Sequence, residues 1–316
     1  MPDRHAISSL AVGDQVDEIY RLKHLVSRQT PQGKGFLLGE LEDASGRIGF
    51  VWWQVSESQQ RQLQDACYLR VGAKVDRHRD RLQLVLHRAE TVAEAAIDPV
   101  WFHPAQDLDV AALWQELEER IASLADDHLR ALLQAVFADP QRAEAFRHAP
   151  AGVTLHHAYT HGLLEHTVAV TRLAEDCCQR YAGLDRSLLV AGAILHDFDK
   201  VSELAWTGQL SYTVRGNLVG HLVGGAILVE RLAAELPDFP ARTRDKLQHL
   251  ILSHHGELAH GAAREPLLKE AVILHLIDNL DSRIAGFEQA VAQSTSTDPD
   301  WTEPNRMFGR RLYRGE

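Results

Sequence analysis

Histidines and aspartates that could bind metal ions form an ordered series in the second half of the chain. Each lies in or at the end of an apolar run, where a buried imidazole or carboxylate needs a partner to offset its desolvation. The sequence holds 18 histidines in 316 residues, most of them beyond residue 145. Along the chain the series reads His166, His196-Asp197, His221, His254-His255 and Asp278.

A shared pair of divalent cations would satisfy these groups together, whereas separate buried partners for each are hard to provide. Asp197, beside His196, is the natural carboxylate to bridge two ions. Imidazole with carboxylate suits Mn, Fe, Zn, Co or Ni rather than Ca. Any one histidine alone is better explained as a core or surface residue, and His249, His260 and His275 are kept in that class. The ordered set is what indicates a metal centre.

The elements that must position this set are helices. From about residue 108 apolar residues recur at helical spacing, as in Leu113, Leu117, Ile121 and Leu124, and Asp139-Pro140 breaks the run. We therefore expect an all-α domain over residues 151–290. It is preceded by a linker and helical segment over 96–150 and followed by a C-terminal tail over 291–316.

The first 95 residues have a different pattern, typical of a small β-barrel. Apolar runs at residues 36–43 and 48–53 flank a turn, which is a hairpin signature. A helical patch at 56–67 precedes two more predicted strands at 68–75 and 82–86. Residues 20–90 as a whole read as β, and five short strands with one interposed helix would fit an OB-type barrel. The predicted fold class is thus multidomain, with an N-terminal OB-fold followed by an all-α domain.

Charge is unevenly divided between these regions. The chain has a net charge of −11, which argues weakly against a generic nucleic-acid binder, yet residues 21–90 hold 12 Lys/Arg and 8 Asp/Glu, a net of +4. An OB-fold binds single strands by stacking bases on aromatic side chains beside a basic groove. Because strand residues alternate in direction, one of the two adjacent tryptophans is expected to pack in the core. The candidate nucleic-acid contacts are Lys34, Arg47, Trp52, Trp53, Lys74 and Arg77.

Several classes of protein are disfavoured. No apolar run follows the N-terminus, so no signal peptide is visible, and no stretch reaches membrane-spanning length. Cys67, Cys177 and Cys178 form no CxxC pair, which favours a reducing compartment. A cytoplasmic protein without a membrane partner is expected, and a homo-oligomer is left open.

The ordered motifs resemble the HD superfamily of metal-dependent phosphohydrolases, and more closely the YhaM group of 3′→5′ exoribonucleases, which join an OB-fold to an HD domain. The resemblance implies that one metal ion takes His166, His196, Asp197 and Asp278, and that a second takes Asp197, His221, His254 and His255. The stretches that carry it are His156-His157-Ala158-Tyr159, residues 162–166, Leu195-His196-Asp197, Gly220-His221, residues 252–256 and residues 277–281.

The resemblance also implies roles for neighbouring residues. Two-metal sites of this kind hydrolyse phosphate esters by activating water and offsetting charge on phosphate. Lys200 could bind a phosphate oxygen, or could form a salt bridge with Asp199 or Glu203. Asp281 could orient a ligand histidine, or could pair with Arg283. Family members commonly have Gly where this chain has Asp199, which puts substrate preference in doubt.

Three functions remain in competition. The first is a 3′→5′ exonuclease that acts on single-stranded RNA, with DNA also considered. It would use Asp197 and Lys200 in catalysis and would bind two divalent ions, with Mn²⁺ favoured. The second is a phosphohydrolase of small nucleotides whose barrel serves assembly. The third is a binding protein with a degenerate site, which the complete ligand set disfavours.

Overall fold

A computed structural model of the chain divides into two compact units, residues 1–106 with 206–209, and residues 107–205 with 210–316. The domain limits predicted at residues 95, 150 and 290 stay predictions. His156 and His157 of the HD-like motif lie outside the described residues. The structure describes residues 5–30, 33–64, 66–79, 81–93, 96–97, 101–102, 108–153, 158–207, 209–294 and 296–315.

The N-terminal unit is a closed five-stranded barrel. Its strands run in the spatial order β1-β2-β3-β5-β4, in which β1 pairs with β4 and β3 pairs in parallel with β5. Helix α1 (Glu57–Leu63) lies between β3 and β4 in the chain and begins at a capping box on Ser56. This is the topology of an OB-fold, as the sequence predicts. The strands are β1 (Gln15–Gln29), β2 (Gly35–Asp43), β3 (Gly46–Trp53), β4 (Tyr68–His78) and β5 (Arg81–Val92).

Successive side chains of β3 point to opposite faces of the strand, so its two adjacent tryptophans lie in different environments. Phe50 and Trp52 belong to the apolar core of the barrel, where Trp52 keeps 6% of its surface exposed. Trp53 is 51% exposed and its ring packs on Phe36 at a centroid distance of 4.9 Å. One tryptophan therefore serves packing, as the strand pattern predicts, and the other faces solvent.

The second unit is helical. Asp139-Pro140 both separates α3 from α4 and starts α4, because Asp139 caps the helix and proline suits its first turn. A two-stranded sheet of β6 (Leu204–Thr207) and β7 (Gln209–Tyr212) interrupts the helices. The helices are α2 (Val110–Ala122), α3 (Asp127–Phe137), α4 (Pro140–His148), α5 (Gly162–Arg180), α6 (Arg186–Leu195), α7 (Lys200–Glu203), α8 (Val214–Leu218), α9 (Gly220–Glu235), α10 (Ala241–Ser253) and α11 (Lys269–Ala292).

One apolar core joins the helices on both sides of residue 150. Leu117, Leu133 and Phe146 from the early helices share it with Leu189 and Leu250. Helix α6 is central, since all its residues from Ser187 to Leu195 are buried. Among the described helices none is both long and apolar enough to cross a membrane. The core therefore fixes α5, α6, α9, α10 and α11 against one another, and these are the helices that carry the predicted ligands.

The C-terminal residues form a folded segment against α11 instead of a free tail. Thr302 and Leu312 are buried and pair through their backbones, with Thr302 N donating to Leu312 O at 3.0 Å. Met307 packs on Gly286 of α11, where a Cβ atom would lie only 2.6 Å from the Met307 sulfur. A glycine at 286 thus lets this segment approach the helix closely.

Candidate metal centre

The structure brings together all the residues that the sequence predicts as metal ligands. His166 lies on the buried side of α5, and His196 and Asp197 follow the last turn of α6. His221 lies in the first turn of α9, and Asp278 lies in α11. His254 and His255 follow the end of α10. Residues separated by more than a hundred positions thus meet because five helices share one core.

One group of ligand atoms surrounds the Oδ2 atom of Asp197. His166 Nε2 lies 3.6 Å from this oxygen and His196 Nε2 lies 3.5 Å from it. Asp278 Oδ1 lies 3.3 Å from His166 Nε2 and 3.9 Å from His196 Nε2. Two imidazoles and two carboxylates therefore face a common point, which matches the ligand set expected for the first ion.

A second group surrounds the other oxygen of Asp197. His221 Nε2 lies 3.2 Å and His254 Nε2 lies 3.5 Å from Asp197 Oδ1. The His255 ring packs on both of these histidines, at centroid distances of 5.3 and 4.5 Å. His221, His254 and His255 offer ligand atoms that all lie within 4.8 Å of one another, as do His166, His196 and Asp197. Asp197 thus presents one oxygen to each group, and His196, His254 and Asp278 form a further set of neighbouring ligand atoms.

Hydrogen bonds at the Nδ1 atoms orient four of these rings. Because each acceptor is an oxygen, Nδ1 carries a proton, and in the neutral ring this leaves the lone pair on Nε2, which faces the cluster. This is the tautomer that metal ligation through Nε2 needs. The donations are from His166 to Asp281 Oδ2 at 2.7 Å, from His196 to Ala193 O at 2.8 Å, from His221 to Glu203 Oε2 at 2.8 Å and from His254 to Ile251 O at 2.8 Å.

Buried atoms without hydrogen bonds show that this cluster suits a cation. Asp197 Oδ1, His221 Nε2 and His255 Nδ1 are buried and find no hydrogen-bond partner among the described residues. A buried polar atom left unpaired costs free energy, and here acceptor atoms face one another. A divalent ion would satisfy them together, so the residues present fit a metal ion.

The ionisation of the cluster also fits ligation. Burial, with the neighbouring histidines, lowers the pKa of His196 to about 4 and that of His255 to about 3, so both rings are neutral at neutral pH. Burial alone would raise the pKa of Asp197, but Lys200 and His196 hold it well below its usual range. Burial opposes a charge on His166, yet Asp278 and Asp281 raise its pKa to about 9. The carboxylates of Asp278 and Asp281 therefore favour a positive charge beside them.

Lys200 and Asp199 have different partners from those considered in the sequence. The Lys200 ammonium donates to Asp197 Oδ2 at 2.6 Å and to Ala151 O at 2.7 Å, so neither Asp199 nor Glu203 is its hydrogen-bond partner. Asp199 is buried and lies 3.6 Å from the Arg215 guanidinium. Gly224 makes room for this carboxylate, since a Cβ there would lie 1.6 Å from Asp199 Oδ2. Asp199 thus belongs to an ion pair beside the centre.

Sequence reasoning missed the contact of Glu203 with His221 and the place of Met307 at the centre. Glu203 accepts from both the backbone N–H and the ring of His221, at 3.2 and 2.8 Å. Its only signal in the sequence is its position one helical turn after Lys200. Met307 lines a cavity of about 340 Å³ beside the centre, together with Asp197, Lys200, His255 and Asp278. Nothing in the sequence pattern links Met307 to these residues.

The histidines assigned to packing have partners of their own. His275 Nδ1 donates to His254 O at 2.8 Å, and His249 Nε2 accepts from Leu267 N at 2.8 Å. Gly256 has a positive φ of 79° and lies so close to His275 that a Cβ would be 2.3 Å from its ring. His275 and Gly256 therefore hold the turn that carries His254 and His255.

The predicted nucleic-acid contacts all belong to the barrel unit. Lys34, Arg47, Lys74 and Arg77 are all exposed, and Arg47 also donates to Glu42 Oε2 at 2.7 Å. Of the two tryptophans only Trp53 is exposed, because Trp52 lies in the core. The exposed tryptophan of β3 is thus Trp53, whose ring packs on the half-buried Phe36 of β2.

The chain is similar in sequence to known proteins. Residues 163–283 match the model of the HD domain. The chain is 33% identical over 310 residues to 3′-5′ exoribonuclease YhaM of Bacillus subtilis (strain 168), and 33% identical over 310 residues to the protein of the same name from Bacillus velezensis, with 96% of each chain covered in both cases. Among solved structures, the second OB-fold domain of replication protein A from Methanococcus maripaludis is matched over its whole length by 30% of this chain, at 15% identity and a TM-score of 0.24. Since two full-length relatives match at this identity, the chain belongs to the YhaM family of HD-domain proteins.

Proposed function

We propose that this protein is a metal-dependent 3′→5′ exonuclease that degrades single-stranded RNA. The observation that carries the proposal is Asp197, whose two oxygens face separate groups of histidines and carboxylates. The names of the two Bacillus relatives supply the substrate and the direction of degradation. The barrel supplies a separate fold suited to single strands.

Two divalent ions, with Mn²⁺ favoured, are proposed for the centre. Bound there, they would supply Lewis acids that activate water and offset charge on a phosphate. The set of seven ligands exceeds the roughly four protein ligands that one ion such as Zn²⁺ takes. His166, His196, Asp197 and Asp278 would hold the first ion, and Asp197, His221, His254 and His255 would hold the second.

The chain's own residues orient this centre. Lys200 holds Asp197 Oδ2 and the Ala151 carbonyl, and the ammonium has three donors, so one donor remains for a phosphate oxygen at the cavity. Glu203 and Asp281 fix the rings of His221 and His166. Lys200 is therefore proposed as a residue that positions Asp197 and contacts phosphate.

The barrel is proposed as the platform for single strands. Trp53 is exposed, rests on Phe36, and lies at the end of β3. Lys34 is exposed and lies two residues before Phe36 in the chain, so a cation is available to a phosphate near a stacked base. Lys74 and Arg77 on β4 would add contacts to the backbone.

The domain boundaries and the cellular compartment of the protein are also proposed. Residues 1–95 would be the nucleic-acid platform and residues 151–290 the catalytic domain, with residues 96–150 the linker and helical segment, whose helices α2 to α4 contribute to the helical core, and residues 291–316 the C-terminal tail. Cys67, Cys177 and Cys178 are free thiols, which supports a reducing compartment such as the cytoplasm.

The function is tested with a single-stranded RNA labelled at its 5′ end. With Mn²⁺ we expect a ladder of products shortened one nucleotide at a time, and no cleavage after chelation by EDTA. A circular RNA of the same sequence should resist, since an exonuclease needs a free end. Single-stranded DNA measures the sugar preference. Cleavage of the circle would contradict an exonuclease, and hydrolysis of small nucleotides alone would establish the alternative function.

Replacing Glu203 or Asp281 should weaken metal binding selectively. Loss of a carboxylate that orients a ligand histidine typically lowers metal affinity by about 10- to 100-fold. We expect Glu203→Gln to weaken the ion held by His221, and Asp281→Asn to weaken the ion held by His166. Competition with a fluorescent chelator would resolve one weakened site and one unchanged site in each variant.

Glu265→Gln is the matched control, because Glu265 is exposed and lies outside the cluster. It should bind both ions as the unmodified protein does. If Glu203→Gln and Asp281→Asn also retain full affinity at both sites, these carboxylates do not support the ligands.

A further inference from the structure

The C-terminal segment contributes to the wall of the cavity beside the metal centre. Met307 lines this cavity together with Asp197, Lys200 and Asp278. Gly286 of α11 allows its close approach, and Phe308 packs edge-on against Phe287 at 5.9 Å. The turn over residues 305–310 therefore lies at the edge of the space that a substrate would enter.

This turn is held in one conformation by its own hydrogen bonds. The Asn305 side-chain oxygen accepts from Met307 N at 2.8 Å, and Asn305 N donates to Arg310 O at 3.0 Å. Gly309 N donates back to Asn305 O at 2.9 Å, and Gly309 takes a φ of +64° that favours glycine. A turn ordered in advance loses little entropy when a ligand binds to it.

Two arginines of the turn are exposed and without partners in the part of the chain that the structure describes. Arg306 and Arg310 make no ion pair or hydrogen bond through their side chains there. Arg311, by contrast, pairs with Asp298, and Arg314 donates to the carbonyls of Ser296 and Asp298. The segment thus uses two of its arginines to fold and leaves the other two available.

A polyanion is the ligand that such side chains suit. Guanidinium groups bind phosphate oxygens through paired hydrogen bonds. Arg283 on α11 adds a third exposed guanidinium on the cavity wall, where its Nε donates to Asn279. Because Met307 lines the cavity, a strand whose end occupies the cavity would pass the turn that carries Met307, Arg306 and Arg310.

We propose that the turn over residues 305–310 is a subsite for the sugar-phosphate backbone, in which Arg306 and Arg310 bind phosphates next to the reacting end of a single strand. The inference rests on the proposed function, since it requires a strand as the substrate. It assigns to the C-terminal segment a role in substrate binding, close to the metal centre and independent of the barrel.

The test compares Arg306→Ala/Arg310→Ala with the control Arg231→Ala/Arg242→Ala. The control removes the same charge from exposed positions on α9 and α10, ten residues beyond His221 and twelve before His254 in the chain. Substrates are a dinucleotide and a 12-nucleotide RNA under Mn²⁺. We expect the KM for the 12-mer to rise on the order of tenfold, and the slope of log affinity against log salt to fall by about 1.4, the value for two lost phosphate contacts on a single strand.

Two further comparisons, of substrate length and of charge reversal, distinguish the possible results of this experiment. The effect on KM should be smaller for the dinucleotide, which has one phosphodiester, and should grow in Arg306→Glu/Arg310→Glu, where repulsion replaces attraction. If the unmodified protein degrades RNA and both arginine variants match the control in KM and salt slope, the subsite is wrong while the nuclease stands. If the unmodified protein degrades neither substrate, the proposed function itself fails.

Discussion

Replacing Asp197 with alanine should abolish hydrolysis and remove both metal ions. Asp197 Oδ2 faces His166 and His196, and Oδ1 faces His221 and His254, so the substitution takes a ligand from each group. We expect kcat/KM to fall by at least a factor of about 10³, which corresponds to about 4 kcal/mol of transition-state stabilisation. The metal content measured by elemental analysis should fall from two ions per chain to fewer than one.

Folding must be measured alongside, because Lys200 loses its buried partner in this variant. Asp197→Asn keeps the shape of the side chain and provides a second inactive variant with less disturbance. Asp176→Asn is the matched control, since Asp176 is an exposed carboxylate on α5, the helix of His166. Activity and metal content in Asp197→Asn equal to those of the control would show that Asp197 does not bridge two ions.

Replacing Trp52 and Trp53 singly with alanine should give opposite phenotypes. Trp52 lies in the barrel core, and truncation of a buried tryptophan costs about 3–5 kcal/mol of stability. Trp53 is exposed on Phe36, so its loss should leave unfolding nearly unchanged. If a base stacks there, affinity for single-stranded RNA should weaken by about 1–3 kcal/mol. Thermal unfolding and fluorescence anisotropy measure the two effects.

Trp53→Phe serves as the control for stacking, because it retains an aromatic face and should recover most of the affinity. An unchanged affinity in Trp53→Ala would remove this surface from the nucleic-acid platform. The affinity of Trp52→Ala is compared only below its unfolding transition, so that loss of fold is not counted as loss of binding.

The local sequence was sufficient to predict the barrel, the helical character of the second unit and the chemistry of the ligands, but not the short sheet of β6 and β7. Alternation predicted the strands and placed one tryptophan of residues 52 and 53 inside, since successive side chains of a strand point to opposite faces. The series from His166 to Asp278 predicted a metal centre because imidazoles and carboxylates at the ends of apolar helices need a common partner. These features depend on residue type and on spacing within one element.

Contacts between distant elements were decided only by the tertiary structure. The sequence pattern does not show that Lys200 holds Asp197 and Ala151, that Asp199 faces Arg215, or that Glu203 orients His221. Nor does it show that a segment resembling a tail brings Met307 to the cavity. These partners depend on how helices cross and on where glycines allow close approach, and such packing involves residues far apart in the chain. The sequence alone therefore predicted the ligands that we propose for the centre, and the packing of the helices decided which residues orient and enclose them.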